Sequence, residues 1–162
     1  MSSFKDEILE ILCDDARTTP EQMAVMLGAT VEEVKAGIQE LEDAHIIVKY
    51  STRVNRDKAF EDTVEALIEV KVTPQRQQGF DTIARRIYRF EEVRSVYLMS
   101  GTYDLMVLVE GCNMRQVAFF VAEKLSTIDG VISTATHFVL KRYKDDGVIM
   151  DDDTDERLVV AP

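Results

Sequence analysis

The chain has 162 residues, 46% of them hydrophobic, which suits one ordinary globular domain or two small ones. No segment approaches the roughly 18 uninterrupted apolar residues of a membrane span, and "MSSFKDEILE" lacks the basic start and apolar core of a secretion signal. The net charge is −11: residues 1–63 carry 14 acids and 7 bases, residues 64–140 carry 9 and 8, and residues 141–162 carry 7 and 4. Bulk charge therefore argues against a broad nucleic-acid footprint, leaving only a local basic patch to supply one.

The first part reads as three short helices and a small ribbon. Phe4, Ile8, Ile11 and Leu12 recur at helical spacing. In "TTPEQMAVMLG", Thr19 suits an N-cap, Pro20 the first turn and Gln22 a capping box, with Gly28 to end the helix. Thr30 opens a second box with Glu33, and Val31, Val34, Ile38 and Leu41 form one apolar stripe. Helix, turn at Gly28-Ala29, helix is the helix-turn-helix spacing. "IIVKYSTRVN" follows, alternating as a linking strand would.

From Val64 the period changes. "VEALIEVKV" alternates as a strand that Pro74 ends, and "GFDTIARRIYRF" is helical through Phe80, Ile83, Ala84 and Ile87. "VRSVYLMS" and "DLMVLVEG" form a hairpin with Gly101 at its bend. "NMRQVAFFVAEKLSTI" is a helix begun by Asn113, and "GVISTATHFVL" is the last strand. The order β-α-β-β-α-β is that of a ferredoxin-like unit, two helices on one face of a four-stranded sheet. The other face, carrying residues such as Val70, Val107 and Val109, needs a partner; alternation alone does not say which residues face which side, but an uncovered apolar face implies self-association. The tail "KRYKDDGVIMDDDTDERLVVAP" reads as a solvated extension with one docked piece, or as a strand added to a sheet edge.

Cys13 and Cys112 stand alone, which suits a reducing cytoplasm and argues against a disulfide scaffold or structural zinc; buried fillers are expected. Two histidines, His45 and His137, are present, and no triad, metal-ligand or phosphate-loop spacing accompanies them. No cofactor or metal is expected.

This order of parts resembles the leucine-responsive regulatory protein/AsnC (Lrp/AsnC) family of transcription regulators. The likeness is carried by "EQMAVMLGATVEEV" and "IQELEDAHII" in the helix-turn-helix, "VYLMSGTYDLMVLVEG" in the central hairpin and "LSTIDGVISTATHFVL" at the close. It covers residues 4 to about 142. The resemblance implies an α+β fold: a helix-turn-helix domain with linking strand over 1–63, a ferredoxin-like effector-binding and oligomerisation domain over 64–142, and an acidic tail over 143–162. It implies promoter DNA as partner, a homodimer assembling to a tetramer or octamer, and an amino acid or similar metabolite as effector. By motif position the effector would meet Gly101, Thr102, Tyr103 and Asp104, with Thr134 and Thr136 from a neighbouring subunit. The chemistry agrees, since an ammonium wants a carboxylate and a carboxylate wants N–H groups and hydroxyls.

One departure bears on DNA. Where the family usually has a basic residue before the position of Ile38, this chain has Gly37, read here as an exposed helix glycine costing about 1 kcal/mol. Thr30, Glu32 and Lys35 remain at the start of the helix, and Lys49, Arg53, Arg56 and Lys58 follow it. These seven are the candidate DNA-facing residues, with weak intrinsic affinity expected and multivalency making up the rest. Two rival functions are an amino-acid-sensing oligomer without DNA binding, and an enzyme resembling the sirohaem decarboxylases, for which His137 is the acid/base candidate.

Overall fold

A computed structural model describes residues 3–60, 63–73 and 79–150. They divide into two compact units, 1–54 and 55–162. Pro74 and the acidic run and "RLVV" patch of the tail lie outside the described residues.

The first unit is three helices: α1 (Phe4–Asp14), α2 (Pro20–Leu27) and α3 (Val31–Asp43). Each begins with a reciprocal capping box: Ser3 with Asp6, Thr19 with Gln22, and Thr30 with Glu33. Each box satisfies two N–H groups that a helix start would otherwise leave open. Gly28 ends α2 in the left-handed region at φ 64°, which favours glycine. Ile8, Met23, Ala24, Val34 and Leu41 form the core, with Val31 and Ile38 half-buried against it.

Two expectations change here. Gly37 is buried rather than exposed, and a Cβ on it would stand 2.8 Å from Ile8 Cδ1. Its position on α3 faces α1, so a basic side chain there would point into the core rather than at DNA. Residues 46–54 form no strand. Their β-branched alternation is real, but a strand needs a ladder partner, and none pairs with them among the described residues.

The second unit begins with a short helix, α4 (Arg56–Ala59). It is followed by β1 (Val64–Val72), α5 (Asp81–Ile87), β2 (Val93–Leu98), β3 (Leu105–Gly111), α6 (Met114–Phe119) and β4 (Val131–Phe138). The antiparallel sheet runs β2-β3-β1-β4, the ferredoxin-like order. Alternate residues Ala66, Ile68, Val70, Val72, Leu105, Val107 and Val109 face Ile83 and Ile87 of α5 and Val117 of α6. Val70, Val107 and Val109 are thus the floor of the core, fully buried, and not the open face. The open face is the other alternation: Leu67, Met106, Leu108 and Tyr97, mixed with Glu65, Glu69, Glu110 and His137. Single-strand patterning could not choose between the two because both alternations carry aliphatic residues.

The second helix also differs from a regular one. Asn113 caps α6 as its sequence suggests, accepting from the Gln116 N–H at 2.9 Å. From Phe120 to Leu125 the helix widens to π geometry, with Ser126 N–H donating to Val121 O, five residues back. Phe120 and Leu125, both buried, would stand about 140° apart around an α-helix; i→i+5 bonding brings them towards one face. Phe120 meets Phe90 edge-to-face at 5.5 Å.

Of the tail, Lys144–Asp145 (β5) and Val148–Ile149 (β6) make a hairpin of their own. Asn55 Nδ2–H donates to Met150 O at 2.8 Å and docks its end beside α4. Both cysteines are exposed, contrary to expectation: Cys13 lies in the last turn of α1, and Cys112 leads into α6. Among the described residues no helix is long and apolar enough to cross a membrane.

Candidate functional site

The surface that α3 offers a partner is set by its period. With Val34, Gly37 and Leu41 inward, the outward residues include Glu32, Lys35, Gln39 and Asp43. Two of the candidates are already engaged at close range. Thr30 N–H and Oγ1–H both donate to Glu33 Oε2 at 2.8 Å, so its hydroxyl serves the cap. Those bonds, the Thr30 backbone N–H first and its hydroxyl second, hold the Glu33 carboxyl below its ordinary value. Lys35 Nζ stands 3.7 Å from Glu21 Oε1. Glu21 is likewise held low, chiefly by a backbone N–H and the Thr19 hydroxyl, with Lys35 contributing less. Lys35 therefore faces outward with a counter-charge already beside it.

Gln39 was not among the sequence candidates. It is four residues after Lys35 and seven after Glu32 on the outer face, and a glutamine amide can pair with an adenine edge. That spacing was the available signal. Its Nε2–H currently donates to Asp43 Oδ1 at 3.0 Å.

Beyond α3, Lys49, Arg53 and Lys58 are exposed. Arg56 is different. Its Nε lies 2.9 Å from Glu65 Oε1 as an ion pair, and its Nη2 bonds Glu110 Oε2. Its guanidinium is held on two sheet carboxylates, with the side chain 28% exposed.

His45 follows α3 in the left-handed region at φ 55°, its Nδ1 3.3 Å from Glu42 O. The residues after it close the helix, Ile46 and Ile47 both donating to Leu41 O. His137 lies on the open sheet face, Nε2 3.4 Å from Glu69 Oε1. Among the described residues no group of three or more His, Cys, Asp or Glu side chains gathers as a metal site.

The β2–β3 turn contains the other candidates. Gly101 and Thr102 are exposed; Tyr103 and Asp104 are half-buried. Asp104 is fixed on three sides. Its N–H donates to Val70 O at 3.1 Å, its carbonyl accepts from Met99 at 2.8 Å, and its Oδ2 accepts from Val72 N–H at 2.8 Å. The second carboxylate oxygen is not used in that bond. Gly101 is not in the left-handed region, and a Cβ added there would meet nothing within 4 Å. The turn of a single chain therefore gives no steric reason for glycine.

Thr134 and Thr136 pair with Val70 and Ile68, so both point to the helix side of β4, half-buried. Val70 pairs with Leu105 as well as Thr134. Asp104 and Thr134 thus sit at the same end of the sheet with β1 between them, about 10 Å apart at two strand spacings.

Residues 65–149 match the family model for the Lrp/AsnC ligand binding domain. The chain is 52% identical over 164 residues to the uncharacterized HTH-type transcriptional regulator YugG of Bacillus subtilis, covering 100% of this chain and 99% of that one. It is 30% identical to the HTH-type transcriptional regulator LrpA of Pyrococcus horikoshii, over 85% of this chain and 94% of LrpA. The fold matches the feast or famine regulatory protein of M. tuberculosis, solved with L-methionine, at a TM-score of 0.73 and 23% identity, covering 91% of this chain and 97% of that one.

Proposed function

Because this chain belongs to the Lrp/AsnC family of helix-turn-helix transcriptional regulators, we propose how it holds DNA and what it senses. Each DNA-binding unit grips weakly, and assembly of several units supplies the rest. The observation that carries this is the outer face of α3, which Lys35 shares with Glu32 and Asp43 and where Lys35 already has Glu21 as neighbour. Acids at that face repel phosphates. Lys49 and Arg53, both in the first unit, supply the attraction, with Lys35 and Gln39 reaching base edges. A homodimer, and a tetramer or octamer built from it, presents several such units at once. The apolar part of the open sheet face, Leu67, Met106, Leu108 and Tyr97, supports pairing of second units. The chain works in the cytoplasm.

The effector is an amino acid or a similar small zwitterion, held at Gly101–Asp104 with Thr134 and Thr136 from a neighbouring subunit. A turn that carries glycine without needing it leaves room for another group to approach the backbone. Asp104, fixed through one oxygen, keeps a carboxylate near that room for an ammonium. L-Methionine is the first ligand to try, since a relative of this fold was solved with it.

A thermal-shift screen of the twenty amino acids, followed by DNA titration with any hit, tests both halves. Binding of a ligand that changes DNA affinity supports the reading. Ligand binding without DNA binding at low salt would identify instead a sensing oligomer, the second reading favoured by the acidic α3 face.

A further inference from the structure

The open sheet face carries two carboxylates where two are hard to hold. Glu65 on β1 and Glu110 on β3 are register partners on adjacent strands, with side chains only 10% and 13% exposed. Like charges directly opposite in a sheet repel. Three arginines from three separate segments resolve this. Arg94 on β2 donates through Nε to Glu110 at 2.7 Å, Arg142, after β4, donates through Nη2 to Glu65, and Arg56 on α4 bridges both carboxylates.

Of the three, Arg56 has a position the others lack. It is the second residue of the second unit, directly after the junction at Val54 and Asn55. Its helix is four residues long, with no side-chain cap. An isolated turn of that length does not persist in water. What holds it from outside is Arg56 on the two carboxylates and Asn55 on the Met150 carbonyl, with Arg56 also stacked over Phe60 of the same turn at 5.1 Å.

We infer that Arg56 is a positioning residue: with Glu65 and Glu110 it latches α4 to the sheet, so that the chain leading to the DNA-binding unit leaves from a fixed point. A fixed tether matters for a regulator whose units grip weakly. Effective concentration of a second unit on DNA depends on how well the tether matches the span. The latch makes its contribution through the assembly, and Arg56 touches no DNA. Its DNA consequence rests on the regulator reading above; the latch itself does not.

Two full-length variants separate the possibilities. Arg56→Met removes the bridge but leaves Glu65 with Arg142 and Glu110 with Arg94, so the sheet keeps its charge balance. Glu65→Gln loosens the same bridge at one end, leaving Arg56 on Glu110, and removes one negative charge. Hydrogen exchange is read at Ala59 and Phe60, whose amides donate to Asn55 O and Arg56 O. In Arg56→Met these two amides exchange about tenfold faster or more and in Glu65→Gln faster by a smaller factor, while that of Val107 in the sheet does not change. Affinity for DNA carrying two half-sites falls about tenfold in Arg56→Met and by less in Glu65→Gln, and affinity of the Glu65→Gln variant for a single half-site stays within about twofold of the parent. Parental exchange at Ala59 and Phe60 in both variants overturns the latch. So does weaker single-site binding in Arg56→Met together with tighter binding in Glu65→Gln, the pattern of a direct phosphate contact. If the parent binds no DNA, the regulator reading fails, and the exchange measurement alone decides the latch.

Discussion

Gly37 on α3 faces Ile8 on α1 so closely that a Cβ there would stand 2.8 Å from Ile8 Cδ1. Helix propensity favours alanine over glycine by about 1 kcal/mol. Overpacking a full core costs about 1–3 kcal/mol, and Ile8 is fully buried with Phe4 also near. Gly37→Ala is therefore expected to destabilise the first unit by about 1 kcal/mol net, read by denaturant unfolding. Pairing it with Ile8→Val, which removes the Cδ1 atom, should recover part of the loss. A stabilised Gly37→Ala single variant contradicts the packing.

The helix caps predict acid sensitivity. The Glu33 carboxyl is held below its ordinary 4.5 by the Thr30 backbone N–H and hydroxyl. A depressed folded-state value gives stability that is present above about 4.5 and lost as pH falls through the lower folded value. Glu33→Gln keeps the cap shape without the titration. Unfolding followed between pH 7 and roughly pH 3 should show a smaller acid loss in the variant than in the parent. Identical pH profiles would mean the cap contributes nothing through its charge.

His45 occupies the left-handed region at φ 55° where α3 ends. A side chain there is strained, and glycine relieves it at the cost of more freedom in the unfolded chain. His45→Gly is expected to raise stability by about 0.5 kcal/mol, measured as a higher denaturation midpoint. The 3.3 Å contact of its ring with Glu42 O opposes this gain but is exposed and weak.

Asp104 can be asked which of its two tasks matters. Its Oδ2 accepts from Val72 N–H, a bond that an amide oxygen can also accept. Asp104→Asn should leave the unliganded melting temperature within about a degree of the parent, while amino-acid affinity falls roughly tenfold or more through loss of the charge on the ammonium. Equal ligand affinity in the two proteins would assign Asp104 to the turn alone.

The β-α-β-β-α-β order, the three N-terminal helices, two of the three capping boxes and the glycine stop at Gly28 were legible in the sequence, because each rests on local chemistry; α4 and the β5–β6 hairpin were not. What was not legible needed a third dimension. Val70 and Leu67 are both aliphatic on alternate sides of β1, and only the docking of α5 and α6 decides that Val70 is core. The strand expected over 46–55 had the right residues but no partner to pair with. Arg56 looked like a free cation beside others until Glu65 and Glu110 were found opposite each other. Gly37 looked like a missing charge until α1 was found against it. The effector candidates were placed by resemblance, since residue spacing along one chain does not single them out.

The central claim, weak DNA contact per unit made useful by assembly, is tested most directly by titrating a labelled promoter duplex with the full-length protein across salt. Between about 50 and 200 mM salt the account predicts binding that weakens steeply, with close to one unit of log–log slope per phosphate neutralised. Charge reversal at Lys35 or Arg53 should weaken it further. Absence of binding even at the lowest salt would contradict the account.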